Sequence, residues 1–294
     1  MRLRSLLFAP ADAPRKVEKA VASAADGVIL DLEDSVAPAA KAAARAEAAA
    51  ALRARPDHLI VRINPRGTPW YLDDLAALVP ARPAAILLPK CTGPADLLTL
   101  SAQIDVLEAA GGLPAGSVAV LLLATETAAS LRDMDYAGVS PRLRALCFGA
   151  EDLSADLGIA PRRGDGSLAA PVAAARGRLL IAAAAAGVAA VDTPFPDPRD
   201  PAGLRAETEA AAVDGFSGKL CIHPGQLEAV TAAFTPPPER VAWAREVVRL
   251  LEGGGAGVAV LDGRMIDIAH LKLARRVLAM APDDGEPAAR GARS

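Results

Sequence analysis

Val118-Ala-Val-Leu-Leu-Leu-Ala-Thr-Glu126 and, a little further on, Leu143-Arg-Ala-Leu-Cys-Phe-Gly-Ala-Glu-Asp152 follow one pattern: an apolar run, a short loop, then a carboxylate. Apolar runs of this length read as buried strands, so Glu126 and Asp152 both sit where a strand gives way to a loop. Two hard oxygen donors at neighbouring strand ends leave most positions of an octahedral ion to water and substrate, which suits a catalytic Mg2+. The plainer reading is that each acid caps the helix that follows it.

The pattern recurs. Ser5 to Pro10, Gly27 to Glu33, His58 to Asn64, Ala84 to Lys90, Gly187 to Thr193 and Gly218 to His223 are further apolar runs, and with the opening pair they make eight strands. Ala-rich sequence with helical spacing separates them, as from Ala13 to Ala25, about Pro38 to Arg53 and about Val172 to Ala186, so each strand is expected to be followed by a helix. Strands separated by helix-length segments pair in parallel through right-handed crossovers, and eight such units close into a (β/α)8 TIM barrel of the α/β class. An open doubly wound sheet is the alternative. Asp31, Glu33, Arg62, Lys90, Glu126, Asp152, Asp192 and His223 all fall at the carboxyl ends of apolar runs. A barrel gathers those ends around one cleft, whereas an open sheet spreads them along an edge, so these residues favour the barrel.

Residues 1–235 are thus expected to form a catalytic barrel. Pro236-Pro-Pro238 marks a break, followed by helical sequence from Glu239 to Glu252, a glycine-rich hinge at Gly253 to Gly257 and a last helix to about Met280. Residues 236–281 read as a helical C-terminal extension that packs on its own barrel or a neighbour's, and 282–294 as a disordered tail.

The 294 residues are 52% hydrophobic, enough for a large core in one barrel, and the formal charge of -3 offers no basic stripe for nucleic acid. The apolar stretch at Leu6 to Pro10 is too short for a signal peptide, and nothing predicts a membrane span, so a cytoplasmic protein is expected. Cys91, Cys147 and Cys221 are far apart and set in or beside apolar runs, as reduced packing cysteines are.

Individual residues carry two readings each. Arg62 interrupts an apolar strand; buried, it must meet an anion, either a substrate oxygen or an internal partner such as Asp31 or Glu33. Asp31 and Glu33 either hold metal-bound waters or pair with Arg62 and Lys90. His223, in Ile222-His-Pro-Gly225, is a general base or a hydrogen-bonded wall residue. No Ser, Cys or Lys stands in a recognisable nucleophile motif, which points away from covalent catalysis.

Leu7-Phe-Ala-Pro10, Leu30-Asp-Leu-Glu-Asp-Ser-Val-Ala-Pro38 with Lys41 and Arg45, Val61-Arg-Ile-Asn-Pro65, Leu88-Pro-Lys90, Gly149-Ala-Glu-Asp-Leu153, Gly218-Lys219 with Ile222-His-Pro224, and Gly263-Arg-Met-Ile-Asp267 occur in that order. Together they resemble the citrate lyase beta-subunit and malyl-CoA lyase family of acyl-CoA lyases. The resemblance implies the barrel, Mg2+ held by Glu126 and Asp152, and Arg62 and Glu126 bordering substrate. It implies Asp267 as the acid/base, delivered from an adjacent protomer of a trimer or hexamer, with Phe8 and Lys19 along the CoA. Ala124-Thr-Glu-Thr-Ala-Ala129 departs from the family's usual Ile-Glu-Thr followed by glycine. Ala13 stands where malyl-CoA lyases place a basic residue near the CoA, a charge that Arg15 or Lys16 would supply here. The expected activity is reversible Claisen-type cleavage of a 3-hydroxy dicarboxylic acyl-CoA, of the malyl-CoA or citramalyl-CoA type, into acetyl-CoA and a 2-keto acid. Malyl-CoA thioesterase, or a citrate lyase beta subunit acting on a citryl-acyl carrier protein, are the alternatives.

Overall fold

A computed structural model describes residues 2–54, 58–253 and 257–281. Eight parallel strands, β1 (Ser5–Pro10), β2 (Gly27–Asp31), β3 (Leu59–Arg62), β4 (Ala85–Leu88), β5 (Ala119–Leu123), β6 (Leu143–Cys147), β7 (Ala189–Asp192) and β8 (Gly218–Cys221), pair in sequence order, and β1 closes on β8. Leu6, Ile29, Ile60, Leu87, Leu121, Cys147, Val191 and Leu220 fill the barrel interior, while alternate residues such as Leu7, Leu30 and Leu122 are buried on the outer side. Burial on both faces is why these strands read as continuous apolar runs rather than alternating ones.

Helices connect the strands: α1 (Pro14–Val21), α2 (Lys41–Ala54), α3 (Tyr71–Leu78), α4 (Pro94–Ala110), α5 (Ala150–Asp156), α6 (Ala170–Ala186) and α7 (Pro201–Asp214). Proline opens α1, α4 and α7, and left-handed glycines, Gly187 at φ 69 and Gly215 at φ 108, end α6 and α7. The expected helix after every strand fails once. Between β5 and β6 there is only a 3-10 turn, Ala129–Leu131, because Asp133, Asp135, Gly138 and Pro141 break up the segment before an apolar stripe can form.

The amino ends of the strands are pinned by ion pairs. Arg4 forks onto Asp26 between β1 and β2, and Arg142 meets Glu108, which also accepts from the N–H groups of Gly116 and Val118 ahead of β5. Gly218 admits no side chain, since a β-carbon there would overlap the Leu3 carbonyl.

A second compact unit begins at Thr231, within α8 (Leu227–Ala233). It holds α9 (Pro238–Gly253), an antiparallel hairpin of β9 (Val258–Leu261) and β10 (Arg264–Asp267), and α10 (Ile268–Met280) around Ala244, Val247, Ile266, Ala274 and Val277. Asp262 at φ 49 and Gly263 at φ 74 form the two-residue hairpin turn, a conformation that Asp-Gly favours. The expected tail at 282–294, and Gly254 to Ala256 of the hinge, lie outside the described residues. No helix among the described residues is long and apolar enough to cross a membrane.

Candidate active site

At the carboxyl ends of the strands lies a cavity of about 800 Å3, within the range that takes a small-molecule ligand. Phe8, Lys16, Lys19, Asp31, Asp34, Arg62, Glu126, Asp152 and His223 all line it.

Strand alternation decides which polar residues arrive. Ile29 and Ile60 fill the interior, so Asp31 and Arg62, two residues on, also point inward, and they are paired across β2 and β3. Arg62 grips Asp31 with two parallel bonds, Nε to Oδ1 and Nη2 to Oδ2, both 2.7 Å. Its guanidinium also lies 4.9 Å from the centre of the Phe8 ring. Nη1 is 2.9 Å from Glu33 Oε2, off the line of a good hydrogen bond, and that buried oxygen has no hydrogen-bond partner. Burial alone would raise the Asp31 pKa, but the Arg62 fork overrides it and takes the carboxyl below its ordinary range. Burial pushes Glu33 up to about 7 against the opposing charges of Arg62 and Lys90.

Lys41 and Arg45, part of the motif after β2, hold the frame. Lys41 Nζ donates to the carbonyls of Leu32 and Glu33, each at 2.7 Å, fixing the loop that carries Glu33. Arg45 binds Asp74, whose other oxygen accepts from the Asn64 main chain and side chain beyond β3.

Glu126 follows β5 and is only 3% exposed. Its Oε2 accepts the Lys90 N–H at 2.6 Å, and Oε1 is 4.0 Å from Lys90 Nζ. Burial pushes its carboxyl up to about 8, opposed by the Lys90 ammonium. Asp152 lies in the first turn of α5 without capping it, since its Oδ1 accepts Lys90 Nζ at 2.8 Å. Instead, hydroxyls of Thr125 and Thr193 accept the N–H groups of Gly149 and Ala150, tying the start of α5 to the ends of β5 and β7. Glu126 is not a helix cap either, because no α-helix follows it.

One ammonium thus lies between the two carboxylates, as a cation would. No group of three or more His, Cys, Asp or Glu is placed to hold a metal among the described residues. A two-carboxylate donor set nevertheless fits Mg2+, which keeps several waters and takes one or two carboxylates plus substrate oxygens.

Three expected residues spend their side chains on local partners. Asp192 was expected to line the cleft, but Val191 fills the interior, so Asp192 turns outward to Arg176 at 3.1 Å and to the fully buried Lys219 at 2.8 Å. The next residue, Thr193, lines the cavity instead. His223 lines the cavity but uses Nδ1 to accept the Gly225 N–H at 3.1 Å, capping a 3-10 turn. Asp267 belongs to the second unit, where it caps α10 by accepting from the Ala269 N–H, while its hydrogen bond with His270 holds its carboxyl below the ordinary range. Gly149, Thr125 and Asp34 carried no legible signal as site residues.

The sequence profile of the HpcH/HpaI aldolase/citrate lyase family matches residues 4–224. The chain belongs to this family. Among HpcH/HpaI relatives, a (3S)-malyl-CoA thioesterase of Cereibacter sphaeroides is 36% identical, covering 95% of this chain and 94% of the relative. An L-malyl-CoA/beta-methylmalyl-CoA lyase of the same species is also 36% identical, with the same coverage. The protein CitE of Mycobacterium tuberculosis, solved in complex with magnesium, acetoacetate and coenzyme A, superposes with a TM-score of 0.71 at 36% identity, covering 95% of this chain and 98% of that one.

Proposed function

We propose that this chain is a Mg2+-dependent acyl-CoA lyase that reversibly cleaves a 3-hydroxy dicarboxylic acyl-CoA, of the malyl-CoA or citramalyl-CoA type, into acetyl-CoA and a 2-keto acid. The observation that carries this is the pair Glu126 and Asp152 sharing one ammonium at the mouth of the barrel, in the same cavity as the braced guanidinium of Arg62. Glu126 and Asp152 would hold the metal, with Asp31, Glu33, Lys90 and His223 around them. When bound, Mg2+ supplies Lewis-acid polarisation of the oxygens of the hydroxy acid or keto acid.

The remaining chemistry falls to side chains. As the carbon bond breaks, the hydroxyl loses its proton and the bond's electron pair moves into the thioester as an enolate. Arg62 spends two of its donors on Asp31 and keeps Nη1 2.9 Å from Glu33 as an ion pair, and the rest of its guanidinium stabilises the enolate oxygen. Because Asp31 and Glu33 hold the fork in place beforehand, little reorganisation is needed when charge develops. Asp267, which starts in its charged form, would take up the proton that the hydroxyl loses and deliver it to the enolate carbon, so the overall reaction is proton-neutral. Phe8, Lys16 and Lys19 border the thioester's carrier. The C-terminal unit supplies Asp267 to another protomer of a homotrimer or hexamer. A cytoplasmic location accords with the three buried, free cysteines.

A thioesterase is the second reading, favoured by the malyl-CoA thioesterase relative; water would then attack the thioester in place of carbon-bond cleavage. Turnover of malyl-CoA, citramalyl-CoA and citryl-CoA with Mg2+, following free thiol and keto acid separately, decides. Keto acid without free thiol supports the lyase, and thiol without keto acid means hydrolysis. Dependence on an acyl carrier protein points to a citrate lyase subunit. Loss of Mg2+-dependent turnover in Glu126→Gln and Asp152→Asn ties the activity to this site.

A further inference from the structure

Lys90 is one of three non-glycine residues with left-handed backbone among the described residues, at φ 50. That conformation is strained for a residue with a β-carbon and persists only where the surroundings impose it. Here it lets one residue serve the acidic centre twice. The main-chain N–H reaches Glu126 Oε2 at 2.6 Å, while Nζ settles 2.8 Å from Asp152 Oδ1. The same ammonium is 3.4 Å from Glu33 Oε1 and 3.6 Å from Asp34 Oδ2. The Lys90 ammonium therefore stands among four carboxylates, and Glu33 and Asp34, which Arg62 Nη1 also approaches at 2.9 and 3.7 Å, offer it a second resting place close to the first.

We propose that Lys90 is a built-in counter-cation of this centre: it neutralises Glu126 and Asp152 while no divalent ion is bound, and it yields to Mg2+ by shifting toward Glu33 and Asp34. Its main-chain N–H keeps Glu126 aimed in both states. The proposal rests on the reading of Glu126 and Asp152 as metal ligands. Two consequences have opposite signs. The lysine spares the metal-free protein the repulsion of clustered, partly buried carboxylates, so it stabilises that state. It also competes with the metal for Asp152 and adds a repulsive positive charge nearby, so it weakens Mg2+ binding.

Lys90→Met and Lys90→Gln keep the main-chain N–H and much of the side-chain length while removing the charge. Calorimetric titration with Mg2+ should show roughly tenfold or tighter binding in both variants, the direction set by losing a cation beside the ligands. Their metal-free forms should melt below the wild type, and saturating Mg2+ should close the gap. A lysine with only a structural role would leave affinity unchanged or lower it, and that result in both variants overturns the proposal. A crystal structure of the wild-type protein with Mg2+ tests it without substitution: Nζ should lie nearer Glu33 and Asp34 than Asp152, and an ammonium still seated on Asp152 overturns it. Glu126→Gln and Asp152→Asn titrated alongside separate the two levels. If those substitutions leave Mg2+ affinity intact, the metal assignment itself falls and the role of Lys90 with it.

Discussion

Gly149 leaves no room for a side chain beside Glu126: a β-carbon there would lie 2.5 Å from Glu126 Cγ and 3.5 Å from its Cδ. The glycine's backbone, at φ -109, is open to any residue, so contact alone excludes a larger one.

Gly149→Ala should therefore fold, with a stability loss of about 1–3 kcal/mol from overpacking, and should push Glu126 out of line. We expect weaker Mg2+ binding by calorimetry and lower turnover. Wild-type Mg2+ affinity in this variant would mean that the position of Glu126 does not matter to the metal.

Arg62→Lys keeps the charge but loses the fork that meets both Asp31 oxygens. Loss of most turnover is expected, together with a lower melting temperature, because Asp31 keeps a buried charge that one ammonium satisfies less well. Near-normal kcat and KM would reduce Arg62 to one half of an internal ion pair.

Glu126 and Glu33 have pKa values raised from 4.5 to about 8 and about 7, so in the folded, metal-free protein their charged forms are disfavoured. A carboxyl raised on folding favours the folded state at low pH, and that contribution is lost as pH rises from the unfolded value through the folded one. The metal-free protein should thus lose these contributions between about pH 4.5 and 8, and Glu126→Gln should flatten that fall in melting temperature. Mg2+ needs the deprotonated carboxylate, so its affinity should rise with pH over the same window and binding near neutrality should release protons. Calorimetry in buffers of different ionisation enthalpy measures that release; none at pH 7 would contradict the raised Glu126.

Asp267→Asn is informative because asparagine caps a helix as well as aspartate does, so α10 should survive while proton transfer is lost. The variant should bind Mg2+ and keto acid normally yet turn over poorly. Mixed with Arg62→Ala protomers, it should regain part of the wild-type rate if one subunit's Asp267 completes another's site. With subunit exchange confirmed by mass spectrometry, absence of any recovery would place Asp267 in its own chain's site or outside the reaction.

The amino-acid sequence by itself determined the barrel, because eight apolar runs buried on both faces need no knowledge of their neighbours to be read, and proline and glycine punctuate the helices between them. It also marked Arg62, Glu126 and Asp152, since a charge at the end of an apolar run stands out locally. The hairpin at Asp262-Gly263 was not read in a segment expected to be a helical extension, because the run Val258 to Asp267 does not announce itself as paired strands. Only the tertiary structure decided what each strand-end group faces. Asp192 and Asp31 look alike in sequence, yet one step of strand alternation sends the first to Lys219 and Arg176 outside the barrel and the second to Arg62 within. The closeness of Gly149 to Glu126, and of Lys90 to four carboxylates, arises from strands brought side by side by barrel closure, and no local pattern encodes a distance across that ring.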